Sequence, residues 1–269
     1  MVASIPSPSS NAIDLWIIEL HAYGIMIAIG VIAAVWLAGR RLEAAGAGTR
    51  EQMSSIAMWG VVAGIIGARA YYVITDPSDP WRRPGDWLKI WQGGLGIPGG
   101  LALGIAVGAY AARRRQVAVG ALLTAVAPAI PLAQAIGRWG NWFNQELFGR
   151  PTTLPWGLEI DPSRIPSVYR DIPDVLFHPT FLYESLWNLL LCGALIAVER
   201  IWTLRSGRLL ALYVAGYSVG RFLIEELRID SARDSGGLRL NQWVALVAFV
   251  GAAAVLLRDR LRTQPAAQP

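Results

Sequence analysis

Apolar residues in this chain are gathered into seven long blocks, separated by charged or proline-containing stretches. The blocks run over residues 15–38, 55–75, 96–112, 117–136, 179–199, 208–227 and 241–257. Each approaches the roughly 20 apolar residues that an α-helix needs to cross a bilayer. The pattern therefore predicts an all-α membrane protein with about seven transmembrane helices. One connector, residues 137–178, is long, polar and proline-rich, and is predicted to form a head loop outside the bilayer. Residues 1–12 read as a disordered tail, 13–258 as a single polytopic membrane domain, and 259–269 as a cytoplasmic tail. In the third block Gly96, Gly100, Gly104 and Gly108 recur every four residues, and Gly60 and Gly64 do so in the second. On helices such rows make smooth faces where two backbones can approach closely.

Composition agrees with a membrane setting: 54% of the 269 residues are hydrophobic and 16% are charged, against about 25% charged in a soluble domain. The first fourteen residues carry no Lys or Arg, whereas a secretory signal peptide opens with positive charge, so this end reads as a retained tail. Arg40, Arg41, Arg50, Arg113, Arg114, Arg115, Arg200, Arg205, Arg208, Arg258, Arg260 and Arg262 cluster on one side of the spans. Arg82, Arg83, Lys89, Arg138, Arg150, Arg164, Arg170, Arg228, Arg233 and Arg239 fall on the other, together with most of the acids. The positive-inside bias then predicts a cytoplasmic C-terminus, with the N-terminus and the head loop outside. The net charge of +5 reports these clusters and not a nucleic-acid partner. Cys192 is the single cysteine, inside an apolar block, and His21 and His178 are the only histidines. One thiol excludes a disulfide framework, and no metal-ligand spacing is present.

Ionisable residues at membrane depth are expensive and mark function by default. In the sixth block Tyr217, Arg221, Glu225 and Arg228 are spaced at i, i+4, i+8 and i+11, on one helical stripe. A purely packing role for an Arg221–Glu225 pair is the alternative, although apolar residues would fill that role as well. A second cluster, GRWGNWFNQELFGR at 137–150, sets Arg138, Asn141, Asn144 and Glu146 among Trp139, Trp142 and Phe143. The planar fork of arginine matches phosphate geometry, and asparagine suits ester or glycerol oxygens. Together they compose a head-group site at the outer interface. A third segment, HPTFLYESLWN at 178–188, opens the fifth block with Tyr183, Glu184 and Trp187. In the first block HAYG brings Tyr23 beside Gly24. For these last two segments packing explains the residues as well as chemistry does.

The 137–150 segment resembles the signature of the prolipoprotein diacylglyceryl transferase family. The pattern G-R-x-G-N-x-x-N-x-E-x-x-G-R is met at Gly137, Arg138, Gly140, Asn141, Asn144, Glu146, Gly149 and Arg150. HAYG resembles the family's H-x-Y-G, and GARAYYV with Arg69 its G-A-R-x-x-Y-V. HPTFLYE resembles its H-P-x-x-L-Y-E, and GRFLIEELR its G-R-F-x-x-E-x-x-R. The resemblance implies phosphatidylglycerol as donor and the lipobox cysteine of a prolipoprotein signal peptide as acceptor, in the bacterial cytoplasmic (inner) membrane. The implied products are a thioether-linked diacylglyceryl cysteine and glycerol phosphate. Carried over by position, the implied catalytic residues are Arg138, Arg221, Tyr23 and Glu225. Arg138, Asn141, Asn144, Glu146, Gly149 and Arg221 are implied to bind phosphatidylglycerol. No metal or organic cofactor is implied. Pro98 stands where many members carry histidine or an aromatic residue, so no histidine base carries over to that position. A lipid or anion transporter would also contain intramembrane arginine, and a non-catalytic lipid-binding member would share the motifs. No convincing inverted repeat favours the transporter, and Pro98 is the one feature that favours the non-catalytic member.

Overall fold

The computed structural model describes residues 4–15, 18–75, 94–202, 204, 206–230 and 234–263. Arg82, Arg83, Lys89, Arg205 and Arg233, which entered the orientation argument, lie outside the described residues, as does the end of the C-terminal tail. Among the described residues there are eight α-helices: α1 (Ala22–Ala44), α2 (Arg50–Thr75), α3 (Ile97–Arg114), α4 (Val119–Val126), α5 (Ala129–Asn144), α6 (Thr180–Ile201), α7 (Arg208–Glu225) and α8 (Leu240–Thr263). Three small antiparallel two-stranded sheets accompany them: β1 (Ala12–Leu15) with β2 (Ile18–His21), β3 (Pro151–Thr152) with β4 (Leu176–Phe177), and β5 (Asp234–Ser235) with β6 (Leu238–Arg239), the first and last being hairpins.

Among the described residues, four helices are long and apolar enough to cross a membrane: α1, α2, α6 and the Leu240–Arg258 part of α8. The fourth apolar block is split into α4 and α5 at Ala127 and Pro128, and taken as one bent span the pair makes a fifth. Proline has no N–H to give an α4 carbonyl, which explains the break. α7 has 18 residues but carries Arg208, Arg221 and Glu225 along its length. The distribution of side chains is the reverse of that in a water-soluble protein. Ile32, Ile74, Leu190, Val244 and Val247 are exposed, while Asn141, Glu184, Asn188, Glu225, Arg228 and Gln242 are buried. Such a surface suits acyl chains and not water.

Helix boundaries depart from the hydrophobic blocks at two places. The first helix starts at Ala22 and not near residue 15, because residues 12–15 and 18–21 pair with one another, Ala12 opposite His21 and Leu15 opposite Ile18. Pairing between the two strands satisfies backbone groups there without a helix. The second departure is α5, which runs through Asn144, so the opening of the expected head loop is helical. The stretch read as a loose tail is also engaged: Ile5 pairs with Leu158, and Pro6 and Pro8 accept hydrogen bonds from Trp142 and Gln145. The loop has a core of its own, made by Phe148, Leu158, Ile160, Ile165, Phe177 and Phe181.

The chain divides into two units, residues 1–34 with 126–269, and residues 35–125. In the second unit α2 and α3 pack through glycine. A side chain at Gly104 would meet the Gly60 carbonyl at 3.1 Å, and one at Gly67 or Gly99 would collide with the other's carbonyl. The glycine rows of the second and third blocks are thus one packing interface. Pro98, in the first turn of α3, costs that helix no hydrogen bond.

Candidate active site

The first unit holds a chain of alternating charges that links α5, α6, α7 and α8. It begins on α5. Arg138 and Asn141 are three residues apart on one face, with Arg138 Nη1 donating to Asn141 Oδ1 at 3.4 Å. Asn141 is buried, and its Nδ2 donates to Glu146 Oε1 at 2.8 Å; Asn144 Nδ2 reaches the same oxygen at 3.3 Å. Glu146 can turn back onto α5 because Gln145 and Leu147 on either side adopt left-handed backbone, with φ of 50° and 58°. Each such residue costs roughly 1–2 kcal/mol without glycine, so the turn is held by what it positions.

Glu184 on α6 is the hub. It is buried; its Oε2 is in close contact with Arg138 Nε, and its Oε1 lies 3.1 Å from Arg221 Nη1 and 4.0 Å from Arg228 Nη1. Arg221 in turn lies 2.6 Å from Glu225 Oε2, off the line of a hydrogen bond, so that contact is electrostatic. Arg228 donates from Nε to Asp230 Oδ1 at 2.7 Å. Arg239 lies 3.4 Å from both Glu225 Oε1 and Asp230 Oδ2. Burial acts to lower the Arg228 pKa, but the hydrogen bond and charge of Asp230, with Glu225 and Glu184 beyond, raise it on balance. For Asp230 burial acts upward, and the hydrogen bond and charge of Arg228, with Arg239, hold its carboxyl below the usual range.

Among the described residues, the groups ion-paired in this cluster are four guanidinium groups, from Arg138, Arg221, Arg228 and Arg239, and three carboxylates, from Glu184, Glu225 and Asp230. Glu146 is exposed and is held by amides. One positive charge is therefore in excess. Removing an ion from water costs several kcal/mol even after relaxation, so an unbalanced cationic cluster is a feature that packing alone does not require.

Glycine sets two close approaches around it. Tyr23 lies against Gly140, between Arg138 and Asn141, and a side chain there would meet Tyr23 Cδ2 at 2.6 Å. Gly149 is stitched into the loop: its N–H donates to the His178 carbonyl at 2.9 Å, and an added carbon would come within 2.8 Å of His178 Cβ and 3.0 Å of the Leu227 carbonyl. Beside it, Trp156 Nε1 donates to Tyr183 Oη at 3.0 Å, and Tyr183 Oη lies 3.2 Å from His178 Nδ1. Burial, and then the charge of Arg150, lower the His178 pKa, which favours a neutral ring able to accept from Tyr183.

A model of the family described as prolipoprotein diacylglyceryl transferase matches residues 10–258. The chain belongs to that family. It is 49% identical over 260 residues, 95% of this chain and 81% of the relative, to phosphatidylglycerol–prolipoprotein diacylglyceryl transferase 2 of Streptomyces coelicolor. It is also 49% identical over 258 residues, 94% of this chain and 86% of the relative, to the Cutibacterium acnes protein named phosphatidylglycerol–prolipoprotein diacylglyceryl transferase. A Frankia alni protein of that name is 48% identical over 272 residues, 99% of this chain and 70% of the relative.

Within this family member four of the sequence motifs, separated by up to about 200 residues, are joined as described, while GARAYYV with Arg69 belongs to the unit of residues 35–125, where Arg69 Nη1 donates to the Gly94 carbonyl at 3.0 Å. Arg138, Asn141, Asn144, Glu146, Arg221 and Glu225 fall on the connected chain; Tyr23 and Gly149 contact it through backbone packing. The Tyr217 end of the stripe does not join it. Its ring packs on Tyr213, 5.9 Å between centroids, against an apolar cluster with Leu195 and Leu209. The sequence placed Arg228 on the charged stripe and Glu184 at the start of the fifth block without assigning either to the site, and it did not single out Asp230 or Asn241, or Arg239 beyond its charge. Glu184 could have been found from its place, a carboxylate four residues into a span that begins at Thr180. Arg239 and Asn241 carry no such signal, since they stand at the junction of a hairpin and α8.

Proposed function

We propose that this chain transfers the diacylglyceryl group of phosphatidylglycerol to the lipobox cysteine thiol of a prolipoprotein, releasing glycerol phosphate. The observation that carries the reading is the cationic excess of the Arg–carboxylate cluster, in which Glu184, Glu225 and Arg228 are buried and Arg138 and Arg221 half-buried. The donor's phosphodiester bears one negative charge and would complete the balance. In the reaction the sulfur attacks the glycerol carbon of the diacylglyceryl group. The bond from that carbon to the phosphate oxygen breaks, and its electron pair leaves with glycerol phosphate. The thiol proton passes to water or a nearby carboxylate. Negative charge grows on the phosphate as the bond breaks, so arginines already in place lower the barrier without reorganising. Arg138 and Arg221 are the groups assigned to that phosphate, with Glu184 and Glu225 holding them in register. Asn141, Asn144 and Glu146 would meet the head-group hydroxyls. Arginine also favours the thiolate, because nearby positive charge lowers a thiol pKa.

The same reading sets the chain in the bacterial cytoplasmic membrane with seven spans, α4 and α5 counting as one. The N-terminus and the 145–178 loop lie outside, where the donor's head group is reached. The arginine clusters after α1, α3 and α6 and at the end of α8 support that orientation. Cysteines placed at Ser163 and Ser235 should react with an impermeant thiol reagent in intact cells, and reaction only after lysis would reverse the topology. Function is tested by incubating the purified protein with phosphatidylglycerol and a lipobox peptide. Mass spectrometry should find the peptide heavier by one diacylglyceryl group. Lipid movement across vesicles without peptide modification would favour a transporter instead.

A further inference from the structure

One buried carboxylate joins the end of α7 to the start of α8. Glu225 is fully inaccessible, and its two oxygens have different partners. Oε2 lies 2.6 Å from Arg221 Nη2, while Oε1 accepts from Asn241 Nδ2 at 3.0 Å and lies 3.4 Å from Arg239 Nε. Arg239 makes further contacts. Its Nη1 donates to the carbonyls of Glu225 and Arg228, each at 3.0 Å, and its Nη2 donates to the carbonyl of Asp230 at 2.5 Å. The terminal carbonyls of a helix have no partner within it, so this guanidinium closes α7 while it faces the α7 carboxylate. Arg239 is itself held. The turn of the β5–β6 hairpin is made by Gly236 and Gly237 at φ of 62° and 82°, and the Arg239 N–H donates to Gln242 Oε1 at 2.9 Å.

We propose that Arg239, assisted by Asn241, is a positioning residue for the transfer reaction, setting the Glu225 carboxylate so that Arg221 keeps N–H groups free for the donor phosphate. This inference rests on the reading that Arg221 acts on that phosphate. Arg221 has five N–H donors; one on Nη1 is given to Glu184, while the Glu225 contact at Nη2 is electrostatic and off the line of a hydrogen bond. Its side chain retains 15% accessibility. Without Arg239 and Asn241, Glu225 Oε1 would be buried without a donor. A buried carboxylate in that state recovers hydrogen bonds by turning both oxygens onto the nearest guanidinium, in the bidentate geometry that arginine favours. Here that guanidinium is Arg221, which would then be withdrawn from the phosphate.

The test is a double-mutant cycle on the full-length protein in phosphatidylglycerol-containing nanodiscs, following a fluorescent lipobox peptide. Turnover is counted per folded molecule by size exclusion. Arg221→Lys is expected to lose about 10-fold or more in turnover, and Arg239→Met a comparable factor. Arg239→Lys should recover part of it, since it keeps the charge beside Glu225 but not the fork to three carbonyls. The Arg221→Lys/Arg239→Met double variant should be no worse than about 2-fold below the poorer single, because both act through one guanidinium. Multiplying losses in the double variant, or Arg239→Met turning over within about 2-fold of the parent, overturns the proposal. Should Arg239→Met not fold, Asn241→Leu carries the test, because it removes only the Nδ2 bond to Glu225. It should lower turnover about 3-fold or more without multiplying the Arg221→Lys loss, and wild-type turnover overturns the proposal. If Arg221→Lys itself is harmless, the phosphate reading fails, and this inference with it.

Discussion

The α2–α3 interface and the α5–α8 cluster solve the same problem, holding helices together inside a bilayer, by opposite means. Between α2 and α3 the contact surface is glycine against glycine, with backbone carbonyls in near contact. There is nothing to desolvate, and close van der Waals packing does the work. Among α5, α6, α7 and α8 the contacts are guanidinium against carboxylate, with Glu184, Glu225 and Arg228 buried. Ion clusters are a costly way to secure helices, since matched apolar packing is often as stable. The glycine interface shows that this chain uses the inexpensive solution elsewhere, so the ionic cluster is retained for something packing cannot supply. The binding of the donor phosphate proposed above is a role of that kind.

Removing the hub should break the comparison most severely. Glu184→Gln leaves Arg138, Arg221 and Arg228 facing a neutral amide, and loss of one partner from a buried ionic group costs about 3–5 kcal/mol. Thermal unfolding in detergent should register a large drop, and turnover should be lost with it. A harmless Glu184→Gln would mean the cluster is not coupled.

Arg138→Ala and Arg221→Ala separate chemistry from folding. Each should lower turnover roughly 10²–10³-fold, the scale of removing one preorganised electrostatic donor, while the protein still inserts. Lysine at either position should restore only part, because a point charge lacks the planar fork. Near-parental turnover in either alanine variant would leave the cluster as a packing device only.

The opposite signature is expected at the glycine interface. Gly104→Leu forces atoms toward the Gly60 carbonyl and Gly64 Cα, and overpacking of this kind costs about 1–3 kcal/mol. The melting temperature should fall while turnover per folded molecule stays near the parent's. A turnover loss beyond the folded fraction would show that this interface also serves the chemistry.

The smallest effect concerns His178. Its pKa is lowered in the folded protein by burial and by Arg150, so the unfolded chain binds a proton more readily. Protonation then favours unfolding, and stability should decline as pH falls through and below about 6.5, the ordinary histidine value. Above that pH the ring is neutral in both states and contributes no slope. His178→Asn should flatten this part of the stability–pH curve, measured by thermal unfolding between pH 5 and 8. An unchanged slope would assign the effect to another group.

Much of this protein follows from one-dimensional pattern, because a bilayer demands long apolar runs and reports its exceptions. The apolar blocks predicted the helices, and the glycine spacing of four predicted a close interface before any partner was known. Arg221, Glu225 and Arg228 stood out because charge in a span is expensive, and GRWGN with its neighbours carried a specific resemblance. Helix ends were less legible. The hairpin ahead of Ala22 and the helical course of 137–144 depend on where backbone hydrogen bonds find partners. The links between motifs could not be read at all. That Glu184 faces three arginines, that Tyr217 leaves the stripe for Tyr213, and that Arg239 reaches back to close α7 are long-range contacts. Periodicity states which residues share a helix face, but not which other face it meets. The sequence by itself therefore determined the apolar helical character, the candidate charges and the family, while the tertiary structure alone decided which of those charges face one another, because ion pairing depends on long-range packing.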